Sequence, residues 1–195
     1  LRYSAADFDI GSFIRERPSS PDEIHVSTII SDILRSIDPD LYGGDVDDDV
    51  RRLWELGFLW EEVVGDAMAR RWYGGERNLI VQPRMELDGI VGHPDGIRIE
   101  SWRLLECKYT RKSGSKPITD PKFRHWLWQI KAYLKMIDST ECDLIVCYAN
   151  GDYSDRSGCG PGMALHHKLR FGQREVDRNW NMLLRNRDRI LRERG

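Results

Sequence analysis

Near the middle of this 195-residue chain, Arg103-Leu-Leu-Glu-Cys-Lys-Tyr109 places an acid and a base two residues apart inside an apolar run. Such a run reads as a buried strand. Its period of two sends Glu106 and Lys108 to one face and Leu105, Cys107 and Tyr109 to the other. Beginning eleven residues before this run, Gly92-His93-Pro94-Asp95-Gly96 puts a carboxylate where a strand enters a Gly/Pro turn. The chain must fold so that a sheet carries both stretches, which makes an α/β architecture the first expectation.

The rest of the chain fills in that architecture. Ser20-Pro21-Asp22-Glu23 reads as a helix start, with Ser as cap and Pro at the first position. Val26, Ile29, Ile30, Ile33, Leu34 and Ile37 follow at helical spacing until Asp38-Pro39. Asp45 to Asp49 opens a second helix, where acids complement the macrodipole, and Gly74-Gly75 closes it. Its apolar stripe runs through Val50, Leu53, Trp54 and Gly57, then meets Glu61 where another apolar residue is due. A carboxylate on a buried face requires a cation or another strong partner, whereas one at the edge of that face escapes to water.

From residue 78 the period shifts toward strands, expected over 78–82, 85–91 with a continuation at 96–100, and 103–109. Their short connections favour an antiparallel meander. Arg111, Lys112, Ser113 and Lys116 form a basic loop directly after the Glu106/Lys108 strand, either as a solvated turn or as a phosphate contact. A helix over 122–137 follows Asp120-Pro121, with His125, Gln129 and Tyr133 as a ridge at steps of four beside its core face. Strands over 143–148 and 163–171 and a final helix over 173–192 complete the order. The expected fold is α/β, a central mixed β-sheet flanked by helices.

Charge is distributed unevenly. Residues 1–50 carry 4 basic and 12 acidic side chains, while residues 161–195 carry 9 basic and 4 acidic. A basic C-terminal segment fits an anionic polymer and equally fits a solvated helix. The four cysteines, Cys107, Cys142, Cys147 and Cys159, contain no CxxC pair, which argues against a zinc or iron–sulfur site. Free thiols and the absence of an apolar leader or a long apolar run point to a cytoplasmic protein with no membrane partner. One domain over residues 1–195 is the simplest division, with a loose arm at 1–20, a catalytic core at 50–150 and a C-terminal helix at 173–192.

Four motifs now stand in order: Gly57-Phe-Leu-Trp-Glu61, Gly92-His-Pro-Asp95-Gly96, Glu106-Cys-Lys108 and Gln129-Ile-Lys-Ala-Tyr133. Each is weak alone, but the ordered set resembles the PD-(D/E)XK nuclease superfamily, in the RecB-like and phage lambda-exonuclease-like (YqaJ-type) branch. The resemblance covers about residues 50–150 and implies a restriction-endonuclease-like core. It implies a Mg²⁺- or Mn²⁺-dependent DNA nuclease of phage-type recombination or DNA processing, an exonuclease ahead of an endonuclease.

By the same resemblance Asp95, Glu106 and the backbone carbonyl of Cys107 ligate one ion, and Glu61 serves a second. Lys108 orients the attacking water or stabilises charge on the phosphorane. Gln129 fixes a water or phosphate, with Tyr133 buttressing it. Two ions suit in-line phosphodiester hydrolysis, and carboxylate oxygens suit these hard cations. An iron–sulfur cluster is not expected, because residues 1–106 contain no cysteine. The family admits a homo-oligomer, a recombination partner protein, and a bacterial or phage-infected host. A structure-specific endonuclease or junction resolvase on the same core, and a non-catalytic DNA-binding module, stand as alternatives.

Overall fold

The computed structural model describes residues 23–42, 55–57, 59–60, 63, 78–110, 117–148 and 163–194. Helix α1 spans Val26–Ile37, and a single helical turn follows at Pro39–Tyr42. Strands are β1 (Leu79–Val81), β2 (Met85–Leu87), β3 (Ile90–Gly92), β4 (Gly96–Arg98) and β5 (Arg103–Thr110). Helix α2 (Arg124–Met136), strands β6 (Glu141–Tyr148) and β7 (Met163–Arg170), and helix α3 (Gln173–Arg194) complete the described elements.

The central sheet has five strands in the order β1-β4-β5-β6-β7. Among the described strands of this sheet only β5 and β6 pair in parallel, with α2 between them in the chain, so the sheet is mixed. This is the α/β arrangement expected from the sequence, consistent with a restriction-endonuclease-like core. The two faces of β5 belong to different clusters. Leu104 joins the large core formed with α1, α2 and α3, which includes Ile29, Ile130, Leu134, Leu144, Val176 and Leu183. Leu105 and Cys107 face the other way and pack with Leu79, Ile145 and Trp60. Full burial of each such aliphatic side chain contributes about 1.5–3 kcal/mol, so register here is strongly specified.

Two boundaries differ from the sequence expectation. The segment read as one long second strand is divided: β2 and β3 form a separate two-stranded hairpin, and β1 pairs with β4. The division has a local cause. Asp88 and Gly89 take φ of 50° and 70°, which suits a tight hairpin turn. The indole of Trp180 donates to Asp88 Oδ2 at 2.8 Å and fastens that turn to α3.

The first helix also starts later than expected, at Val26 instead of near Pro21. The carbonyl of Ile24 accepts from Val91 N at 2.9 Å, which commits the preceding backbone to β3. Glu23 pairs with Arg84 at 2.8 Å. Ser20 and Pro21, like the Asp45–Asp49 run, lie outside the described residues.

Candidate active site

The geometry begins with the register of β4 against β5. Gly96 lies opposite Leu105, so one further step sets Asp95 across from Glu106. The paired register of β4 with β5 ends at Gly96, so the Cys107 amide beyond it has to find another acceptor. The side chain of Asp95 takes over: its Oδ2 accepts from the amide of Cys107 at 2.7 Å. A residue's N–H and C=O point to the same side of an extended strand, so the Cys107 carbonyl also faces Asp95. Asp95 is anchored from its main chain too, its carbonyl accepting from Gln82 N at 3.0 Å.

Glu106 and Lys108 share one face of β5, as their spacing requires. Lys108 Nζ donates to Glu106 Oε1 at 2.6 Å, with the two side chains 15% and 2% exposed. A charge-assisted bond of this length holds an otherwise costly buried carboxylate in one rotamer.

Helix α2 closes the same face. Gln129 Nε2 donates to the hydroxyl oxygen of Tyr133 at 2.9 Å. Tyr133 is buried, and its hydroxyl is held above its usual value of 10, first by burial and then by the negative charge of Glu106. Asp95 pushes in the same direction and Lys108 opposes it. Tyr133 is therefore a neutral hydroxyl within the electrostatic reach of Asp95, Glu106 and Lys108.

Gly92 explains how α2 comes so close. A Cβ at this position would sit 2.8 Å from Tyr133 Cε1 and 2.8 Å from Met136 Sδ. The glycine of Gly92-x-x-Asp95 thus lets the Tyr133 ring rest against β3. Its role was not recoverable from the sequence, because the neighbour that demands it lies 41 positions away. Cys142 was also missed. It pairs in register with Leu104, and its thiol is raised well above its usual range, first by burial and then by Glu106.

Glu61 and the loop residues Arg111, Lys112, Ser113 and Lys116 lie outside the described residues. Trp60, immediately before Glu61, is helical and packs on the Leu105/Cys107 side of the sheet. His93 stacks on His25 with ring centroids 5.7 Å apart, and His125 meets the Trp126 ring edge-on. His166 bonds Asp143 at 2.9 Å, while burial lowers the pKa of His167. Among the described residues no group of three or more His, Cys, Asp or Glu could hold a metal ion.

No protein-family model and no curated protein matches the sequence. Solved structures do match. An alkaline exonuclease (LHK-Exo) from Laribacter hongkongensis aligns with a TM-score of 0.53 and 12% identity, covering 88% of this chain and 89% of that one. A phage-related exonuclease from Haemophilus somnus 129PT aligns with a TM-score of 0.53 and 12% identity, covering 89% and 96%. This chain has the fold of those exonucleases. LHK-Exo in complex with dAMP aligns similarly, with a TM-score of 0.50 and 12% identity over 88% and 89% of the two chains. At 12% identity the fold is what is shared.

Proposed function

We propose that this chain is a divalent-metal-dependent deoxyribonuclease that hydrolyses phosphodiester bonds and acts as an exonuclease. The observation that carries the reading is the constellation on β5: Asp95 tied to the Cys107 amide at 2.7 Å, beside Glu106 held by Lys108 at 2.6 Å. On a fold shared with exonucleases, this pair of restrained carboxylates with a lysine is suited to phosphodiester hydrolysis.

The donor set fits a hard ion. Carboxylate oxygens and a main-chain carbonyl suit Mg²⁺ or Mn²⁺, whereas the thiol of Cys107 belongs to the opposite face. Asp95, Glu106 and the Cys107 carbonyl are the residues assigned to one ion, and Glu61 to a second. Bound divalent ions supply Lewis-acid activation of water and neutralise charge on the phosphate.

The protein's own groups do the rest. Lys108, oriented by Glu106, presents an ammonium to the attacking water or to the charge that develops on phosphorus. Tyr133, kept neutral and accepting from Gln129, retains its hydroxyl proton as a donor to a water or phosphate oxygen. The basic residues Arg111, Lys112, Ser113 and Lys116 follow β5 in the chain and are assigned to phosphate contact.

The exonuclease assignment is favoured over an endonuclease by the structural neighbours' own activity. One of them was solved with dAMP, a deoxynucleoside monophosphate, and a ligand of that class is proposed for this site. Residues 1–195 are proposed to act as one nuclease domain in a bacterial or phage-infected cytoplasm. The test compares linear, nicked and circular DNA with Mg²⁺, Mn²⁺ or EDTA, with 5′ and 3′ ends labelled separately. Shortening of linear DNA that leaves closed circles intact supports the reading, while cut circles replace it with an endonuclease.

A further inference from the structure

Helix α3 forms the outer layer over α2, on the sheet face that carries Glu106 and Lys108. Its acids all have cationic partners: Glu175 with Lys131 at 3.0 Å, Asp177 with Lys135 at 2.7 Å, Asp188 with Arg187 at 2.5 Å, and Glu193 with Arg189 at 3.3 Å. The first two of these lysines lie on α2, so those ion pairs face the body of the protein. Val176, Asn179, Trp180, Leu183 and Ile190 form the buried side.

Arg174, Arg178, Arg185 and Arg192 are exposed. At about 100° per residue they fall within an arc of about 40°, diametrically opposite the buried side. Among the described residues none of the four makes an ion pair. The guanidinium stripe is therefore left electrostatically uncompensated while the acids of the same helix are neutralised elsewhere.

We infer that this arginine stripe is a binding surface for the phosphate backbone of double-stranded DNA, outside the hydrolytic site. The inference rests on the nuclease reading for the identity of the polymer. From Arg174 to Arg192 the stripe extends about 27 Å at about 1.5 Å per residue, the length of about eight nucleotides on one strand of B-DNA. A straight stripe suits a stiff duplex. Single-strand surfaces add aromatic platforms for the bases, and none of these four positions supplies one. Arginine, always charged and able to bond two phosphate oxygens at once, is the residue suited to this contact.

The test is the salt dependence of duplex binding in EDTA, where no cleavage is needed. The wild type is compared with Arg174→Gln, Arg178→Gln, Arg185→Gln and Arg192→Gln, singly and combined. Glutamine keeps helix propensity near that of arginine, and the single variants carry the test if the combined one fails to fold. Each arginine that neutralises a phosphate adds about 0.9 to the slope of log affinity against log salt, so the combined variant loses about 3.6. Between about 50 and 200 mM salt the wild type then loses about 150-fold more affinity than the variant. Lysine at all four positions restores the slope. An unchanged slope in the combined variant overturns the inference, as does a helix that binds an acidic protein but leaves duplex binding unaltered. Metal-dependent cleavage by the wild type is scored separately, so loss of the nuclease reading is distinguishable from loss of the stripe.

Discussion

The amide of Cys107 donates to Oδ2 of Asp95 at 2.7 Å, at the point where β4 stops pairing with β5. This bond gives the Cys107 amide an acceptor beyond the end of the β4–β5 ladder. It fixes the Asp95 carboxylate against the backbone of β5, next to Glu106 in the chain. The middle residue of Glu106-Cys-Lys108 thus holds Asp95 through its main-chain amide, while its side chain fills the opposite core.

Two substitutions separate the structural duty of Asp95 from its charge. Asp95→Asn keeps an oxygen to accept from Cys107, so thermal stability stays near that of the wild type. Under the proposed metal-binding role of Asp95, loss of its charge, worth several kcal/mol, should lower metal-dependent cleavage by about two to three orders of magnitude. Asp95→Ala removes the acceptor as well, leaving the Cys107 amide unsatisfied at a cost of about 1–3 kcal/mol. Denaturant melts of the two variants check the difference.

Lys108→Met deprives a carboxylate that is 2% exposed of its ammonium. Removing one member of a buried pair costs about 3–5 kcal/mol, and solvent at the partly open Lys108 end moves the expectation to the low end of that range. Adding Glu106→Gln to Lys108→Met should recover much of the stability but none of the cleavage. A double-mutant cycle in urea measures the coupling.

Gly92→Ala places a methyl 2.8 Å from both Tyr133 Cε1 and Met136 Sδ. The methionine end can swing aside, but the buried tyrosine ring has little room. Overpacking of this kind costs about 1–3 kcal/mol and displaces Tyr133 from the carboxylates. The expected result is reduced cleavage together with a lower melting temperature. Met136→Ala in the same background relieves only the methionine clash and should restore stability in part.

His167 gives a pH signature. Burial, reinforced by the charge of His166, lowers its pKa below the ordinary 6.5. As pH falls below that value the unfolded chain takes up the proton before the folded one, so stability present above pH 6.5 is lost on acidification. Melting temperatures from pH 7.5 downward should fall less steeply in His167→Leu than in the wild type. Parallel curves would remove His167 as a cause.

The division of β5 into two faces was legible in the sequence because a strand's period of two leaves no other choice. The Gln129/Tyr133 ridge was legible from helical spacing, and the structure joins the two at 2.9 Å. The split between the β2–β3 hairpin and β4 was not read. Asp88-Gly89 carried a turn signal, but the pairing of β1 with β4 depends on partners distant in the chain. Helix α1 started later than its local capping pattern indicated, because the Ile24 carbonyl is bonded to β3. The role of Gly92 was hidden for a similar reason: only tertiary packing shows which side chain presses against a glycine.

The most direct test of the central claim is release of mononucleotides from an end-labelled linear duplex by the wild type and Glu106→Gln, each with Mg²⁺ and with EDTA. The proposed site predicts progressive release by the wild type with Mg²⁺, none in EDTA, and a loss of about two to three orders of magnitude in Glu106→Gln. Equal release by wild type and variant, or release that persists in EDTA, would contradict it.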